Sequence, residues 1–183
     1  MNNLIDGRID TSDLKYVDLN PNDLLKFKLH KGDVLFNRTN SYDLVGKTAI
    51  FDKEGVFVFA SYLIRIVPKP TQLIPGYLNY YLNWERAQHR LKAIASRGVS
   101  QSNISATKLK QFEIALPPLF EQCEIARILQ TIDRKIEAEE NRKRALEGLF
   151  KTLLHHLMTA KIRLPKDYIE QFKARESVED EQE

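Results

Sequence analysis

LFEQCEIARILQTIDRKIEAEENRKRALEGLFKTLLHHLMTA, Leu119 to Ala160, contains no proline and one glycine, Gly148. Such a stretch reads as one helix. At ~1.5 Å of rise per residue it would be ~60 Å long, more than a domain of this size needs to span its own core. With Ile125 as position a of a heptad, the a series is Ile125, Ile132, Glu139, Leu146 and Leu153. The d series is Ile128, Lys135, Arg142, Leu149 and His156. Two apolar segments flank a polar middle in which only Ile136 and alanines could join a core. An ordinary amphipathic helix is the alternative, and Leu129, Phe150, Leu154 and Leu157 widen the stripe toward it. Length favours a coiled coil. A rod with apolar ends and a solvated waist pairs well antiparallel, so Ile125, Ile128, Ile132, Leu146, Leu149 and Leu153 are expected to make a homodimer contact.

At 183 residues and 43% hydrophobic content the chain can build one sizeable core plus this rod. The expected division is a globular domain over 1–118, the helix over 119–160 and a tail over 161–183 whose acidic end, Ser177 to Glu183, is expected to be disordered. The single cysteine, Cys123, excludes a disulfide framework. No apolar run of about 18 residues and no basic-then-apolar leader is present, so the expectation is a cytoplasmic protein with no membrane partner.

The net charge of +3 conceals a division. Residues 1–118 hold 16 Lys/Arg against 11 Asp/Glu, while 119–183 hold 12 against 14. From Arg86 to Gln111 the chain carries Arg86, Arg90, Lys92, Arg97, Lys108 and Lys110 with no acid. A polyanion suits such a run, whereas a merely solvated face is the plainer reading. Short strands are expected at Lys15–Asp18, Asp33–Phe36, Thr48–Phe51 and Val56–Val67, with turns at Asn20-Pro21-Asn22-Asp23, Lys31-Gly32-Asp33 and Lys53-Glu54-Gly55. After the buried-looking Val34-Leu35-Phe36 comes Asn37-Arg38-Thr39-Asn40-Ser41-Tyr42, a run of hydrogen-bonding side chains able to meet base edges.

Pro75 opens a helix of about 20 residues whose stripe is Tyr77, Tyr80, Trp84, Ala87, Leu91 and Ile94. This stripe reads as core. A second polar loop follows from Arg97 to Ile104, with Ser100, Gln101 and Asn103 as candidate readers. Ser105 caps a short helix through Gln111, and Phe112–Leu116 reads as a strand stopped by Pro117-Pro118. Nothing offers catalysis: there is no glycine-rich phosphate loop, no metal-binding Cys/His spacing and no paired-carboxylate motif.

The segment Ile114-Ala-Leu-Pro-Pro-Leu-Phe-Glu-Gln-Cys-Glu-Ile-Ala-Arg-Ile-Leu-Gln-Thr-Ile-Asp-Arg-Lys-Ile136 resembles the specificity subunits of type I restriction-modification systems. In that family a strand, a Leu-Pro-Pro-Leu-x-Glu-Gln junction and a long helix follow each target recognition domain. Gly32-Asp33-Val-Leu-Phe-Asn-Arg38 with Val45-Gly46-Lys47, and Gln101-Ser-Asn-Ile-Ser105, support the resemblance. It implies an α+β fold: a mixed target recognition domain followed by a long helix that forms an antiparallel coiled coil. It also implies a non-catalytic subunit that recognises one half of a bipartite double-stranded DNA target. Its helix would dock methyltransferase subunits and, in a complete system, a restriction subunit. No cofactor belongs to this chain; S-adenosylmethionine belongs to the methyltransferase partner. One recognition domain and one helix make a half subunit, and Met1-Asn-Asn-Leu4 looks like an interior segment of such a domain.

The expected DNA contacts are Asn37, Arg38, Asn40, Ser41, Lys47, Arg86, Arg90, Lys92, Arg97, Ser100, Gln101, Asn103, Lys108 and Lys110. Two alternatives carry different consequences. One is a helix-turn-helix regulator with Ser100–Gln111 as turn and recognition helix. The other is a coiled-coil scaffold that ignores DNA.

Overall fold

Val34–Asn37 is buried at all four positions, so it must be covered on both faces of whatever sheet it joins. The computed structural model describes residues 3–170 and shows how. In chain order its elements are β1 (Leu4–Ile5), β2 (Arg8–Ile9), α1 (Pro21–Phe27), β3 (Val34–Asn37), β4 (Thr39–Asn40), β5 (Thr48–Ile50), β6 (Leu63–Ile66), α2 (Pro75–Asn83), α3 (Glu85–Ile94), β7 (Ser96–Arg97), β8 (Ser102–Asn103), α4 (Ala106–Lys110) and α5 (Leu119–Met158). β3 is the middle strand of an antiparallel sheet, order β5-β3-β6. Val34 and Phe36 enter one apolar cluster with Val45, Leu78, Leu82, Leu91 and Ile104. Leu35 enters another with Leu4, Leu29, Ala49 and Phe51. The fold is the expected α+β class: small sheets, short helices and one long C-terminal helix.

Several expected elements differ. Asn20-Pro21-Asn22-Asp23 does not merely turn; it starts α1, where the Asn20 side-chain oxygen accepts from the Asp23 N–H at 2.8 Å and Pro21 occupies the first turn. Lys15–Asp18 is exposed and unpaired, and the strand expected over Val56–Val67 shrinks to β6 because the chain turns at Ala60–Leu63. The helix expected from Pro75 breaks at Trp84, whose ψ of 136° is extended. Gln88 Nε2 donates to the Leu82 carbonyl at that break and, at 2.9 Å, to that of Gly46. Trp84 is therefore 50% exposed and is not core, although Tyr77, Ala87 and Leu91 are.

Phe112–Leu116 is no strand. Its carbonyls are met by side chains instead: Tyr77 donates its hydroxyl to Ala115 O at 2.8 Å, and Arg90 donates to Glu113 O at 3.0 Å. Burial raises the Tyr77 pKa above its ordinary value, keeping that donor protonated. Ser100–Gln111 is no helix-turn-helix unit, since it comprises the end of a hairpin and a five-residue helix.

The chain divides into two compact units, Met1–Thr131 and Ile132–Glu183, so the boundary falls inside α5 and not ahead of it. The reason lies in the first turns of that helix. Gln122 has no exposed surface. Its side-chain oxygen accepts from Ile74 N–H at 2.9 Å, while Nε2 donates to Gln72 O at 3.0 Å and Pro117 O at 2.8 Å. A Cβ at Gly76 would lie 3.4 Å from the Ala126 Cβ, so α2 and α5 approach closely there. Around 160 the helix stops as expected, with Ala160 at φ +54° and Lys161 N–H on His156 O. The acidic segment Ser177–Glu183 lies outside the described residues. Replacing Gln122 with Leu keeps the volume and leaves three backbone groups unmet. A loss of about 1–3 kcal/mol is expected in urea unfolding of the full chain, with no loss expected for Gln at an exposed position such as Gln130→Leu.

Candidate nucleic-acid interface

The two polar loops of the sequence meet. β4 pairs with β8, and β8 with β7, in a second antiparallel sheet of order β4-β8-β7. Directly opposed residues share a face, so this sheet has two rows, Thr39–Asn103–Ser96 and Asn40–Ser102–Arg97. The sheet hangs from the core: Ile104 is fully buried, and its N–H donates to Arg38 O at 2.9 Å, while Arg38 N–H donates to Tyr62 O at 3.1 Å.

The first row is committed to structure. Asn103 Nδ2 donates to Thr39 Oγ1 at 2.6 Å. Lys108 Nζ donates to Ser96 Oγ at 3.1 Å and to Ile94 O, near the C-terminus of α3, at 2.7 Å. Asn103 and Lys108 therefore hold the sheet and helices together and do not present their donors. The second row is different. Ser102 is buried between Asn40 and Arg97, and Arg97 is exposed with its guanidinium 4.0 Å from the ring centre of Tyr42. Among the described residues Arg97 has no hydrogen-bond or carboxylate partner. Ser41, Ser100 and Gln101 are exposed beside this row in sequence, and Asn40 Oδ1 accepts from Ser41 N–H at 2.8 Å. Between β7 and β8 the chain turns tightly, with Gly98 N–H on Gln101 O at 2.8 Å. A Cβ on Gly98 would sit 2.9 Å from that carbonyl, so only glycine fits, and Val99 at the tip is wholly exposed.

Asn37 corrects the reading of the first loop. It closes β3 with 0% exposure and its side-chain Nδ2 and Oδ1 have no partner among the described residues, so it cannot meet a base edge from where it stands. Arg38 is half-buried with Nε enclosed. Lys47 is half-buried, and its carbonyl accepts from Asn37 N–H at 2.8 Å. The acid-free run also separates. Arg90 lies over Phe112 at 4.5 Å and donates to Glu113 O, which makes it a tie for the segment ahead of α5. Arg86 is exposed beside Trp84 at 5.6 Å, Lys110 is exposed, and Lys92 is half-buried. Thr39 and Tyr42 belong to the polar run that the sequence marks and Gly98 to the second loop, but their separate roles, a bond to Asn103, a ring under Arg97 and a tight turn, come only from the contacts.

A sheet edged by exposed donors at Ser41, Arg97, Ser100 and Gln101, with cations around it and no catalytic group in it, can bind a polyanion and read hydrogen-bonding edges. Comparison with known proteins agrees with that chemistry. The chain is similar to a provisionally named type I restriction enzyme specificity subunit, MjaX, of Methanocaldococcus jannaschii, at 36% identity over 156 residues, 84% of this chain and 37% of that protein. It is similar also to the EcoKI specificity subunit of Escherichia coli K12, at 26% identity over 69% of this chain and 28% of that one. It thus spans between 28% and 37% of the length of these relatives. The fold is shared with the crystal structure of a type I restriction-modification S subunit from M. genitalium, with a TM-score of 0.55 at 23% identity over 73% of this chain and 34% of that one. Residues 2–148 match the sequence profile of the type I restriction modification DNA specificity domain, and the chain belongs to that family.

Proposed function

We propose that this chain is a non-catalytic specificity subunit whose recognition domain reads one half of a bipartite double-stranded DNA target. In this reading it works in the cytoplasm and docks methyltransferase subunits and, in a complete system, a restriction subunit. S-adenosylmethionine serves the methyltransferase partner; the contribution of this chain is to decide where on DNA that partner works. The observation that carries the reading is the β4-β8-β7 sheet, which brings two polar loops far apart in sequence onto one strand-paired platform. Arg86, Lys92 and Lys110 supply phosphate contacts, while Asn40, Ser41, Arg97, Ser100 and Gln101 supply base contacts.

Two copies pair through α5 as an antiparallel two-fold dimer. Support comes from Ile125, Ile128, Ile132, Leu146, Leu149 and Leu153, all of which are exposed on this helix. Closed two-fold association is the commonest way in which one apolar patch on a chain is covered. A two-fold axis makes identical domains read identical half-sites in inverted orientation, so the target is a split palindrome. Its half-site centres stand roughly one to one and a half duplex turns apart, at ~35 Å per turn.

Two measurements test these statements. Neutralising Arg86, Lys92 or Lys110 to Gln should each flatten the dependence of log K on log salt by about one unit. By contrast, Lys108→Gln should cost about 1 kcal/mol of folding stability in urea and leave the slope unchanged when measured on the folded protein. A triple Arg86/Lys92/Lys110 variant with unaltered affinity and slope would refute the phosphate assignment. For the dimer, sedimentation at tens of micromolar should give two chains, and Leu146→Lys with Leu149→Lys should give one. A monomeric native chain, or a methylated target whose halves differ, would overturn the symmetric arrangement.

A further inference from the structure

The cations of the interface are not equivalent, and the difference bears on what each can recognise. Arg90 and Lys108 spend their donors on backbone carbonyls of their own fold. Arg97 spends none among the described residues, yet it is not loose: its guanidinium stacks on Tyr42 at 4.0 Å while its own backbone is fixed in β7 opposite Ser102. A cation held over a ring face is restrained there while its N–H groups stay unspent. A planar fork matches two acceptors lying side by side, which phosphate offers at every nucleotide and a base edge offers only at particular bases, so the two are told apart by sequence dependence. The edge of DNA that offers two adjacent acceptors in the major groove is guanine, through O6 and N7.

We infer that Arg97 reads one guanine of the target and that Tyr42 is its positioning residue. This rests on the proposed DNA-recognition function and adds the base that the platform selects. Gly98 belongs to the same device, because the tight reversal that only glycine allows follows Arg97 directly and starts the return strand at Ser102. Tyr42 and Arg97 lie on segments far apart in the chain, so the stack exists only when β4 and β7 are both zipped onto β8.

The test uses the purified full chain and duplexes selected from a random pool by the native protein. Each guanine of the selected sequence is replaced in turn by adenine or by 7-deazaguanine, which keeps Watson–Crick pairing and lacks the N7 acceptor. One guanine should stand out, with adenine weakening binding about 5- to 150-fold and 7-deazaguanine about tenfold or more. Arg97→Lys should abolish sensitivity at that guanine to within about twofold while keeping the salt slope, since charge stays and the fork goes. Tyr42→Phe should keep the sensitivity and Tyr42→Leu should lose it, a pattern that general destabilisation would not give. The native-protein arm needs no variant to fold. The inference is overturned if no guanine responds to 7-deazaguanine, if Arg97→Lys keeps the response, or if Arg97→Gln weakens all duplexes equally and flattens the slope by about one unit. If the native chain selects no sequence at all, the DNA-recognition function itself falls, and this assignment with it.

Discussion

One buried side-chain amide, that of Gln122, decides where the recognition unit ends. A glutamine with no exposed surface is costly unless its hydrogen bonds are met, and here its oxygen takes Ile74 N–H while its nitrogen serves Gln72 O and Pro117 O. Those three groups belong to the entry to α2 and to the proline turn ahead of α5, neither of which has a helical or strand partner for them. The amide therefore joins two irregular segments and the first turn of a long helix. This explains why the compact unit runs on to Thr131 and does not stop at the Pro-Pro pair. It also gives a physical meaning to the glutamine of the Leu-Pro-Pro-Leu-x-Glu-Gln junction, which serves a capping role that an apolar residue of equal size could not.

From that joint the support passes through the core to the platform. α2 and α3 bury Leu78, Leu82 and Leu91 against Val34 and Phe36, and Ile104 closes the same cluster. Amides set the sheet against the helices: Asn79 donates to Gly7 O at 2.9 Å, Asn83 to Thr48 O at 3.0 Å, and Gln88 to Gly46 O. β4 and β8 are each only two residues long, far too short to be stable as an isolated ribbon. They persist because the residues beside them, Arg38 and Ile104, are bonded to each other and Ile104 is buried.

What was legible in the sequence follows from how locally each element is specified. The helix α5 is written in a long run without proline, and the core strand in three apolar residues bounded by polar ones; both need only near neighbours. The junction was legible by resemblance, although its glutamine's partners were not. Asn20-Pro21 could not be told from a turn because the same chemistry starts helices and ends strands. The break at Trp84 depends on Gln88, whose amide stands in for the missing helical donor at Leu82 O, and periodicity carries no sign of that. Asn37 reads as the start of a loop because it is polar and follows an apolar run, whereas the strand continues one residue further and takes the amide inside. The row structure of the platform, and hence the separation of Asn103 from Asn40, depends on a pairing across most of the unit. No local pattern encodes it.

In the proposed function, that pairing also gives the platform its means of discriminating. Specificity needs donors that are held still and yet unspent, and these requirements conflict, because a side chain is usually held by the bonds it makes. The pleat resolves the conflict by alternation. In register Thr39↔Asn103↔Ser96 one row satisfies itself, through Thr39 and Asn103 on one side and Lys108 on the other, and thereby fixes the strands. The neighbouring row inherits the fixed backbone without spending its donors. Because side chains alternate with period two, a slip of one residue would exchange the rows and break the Thr39–Asn103 bond. Ile104 prevents the slip: moving it by one position would bring its side chain out of the cluster with Phe36 and Leu91. A single apolar anchor next to the sheet thus sets which polar groups remain free for a ligand.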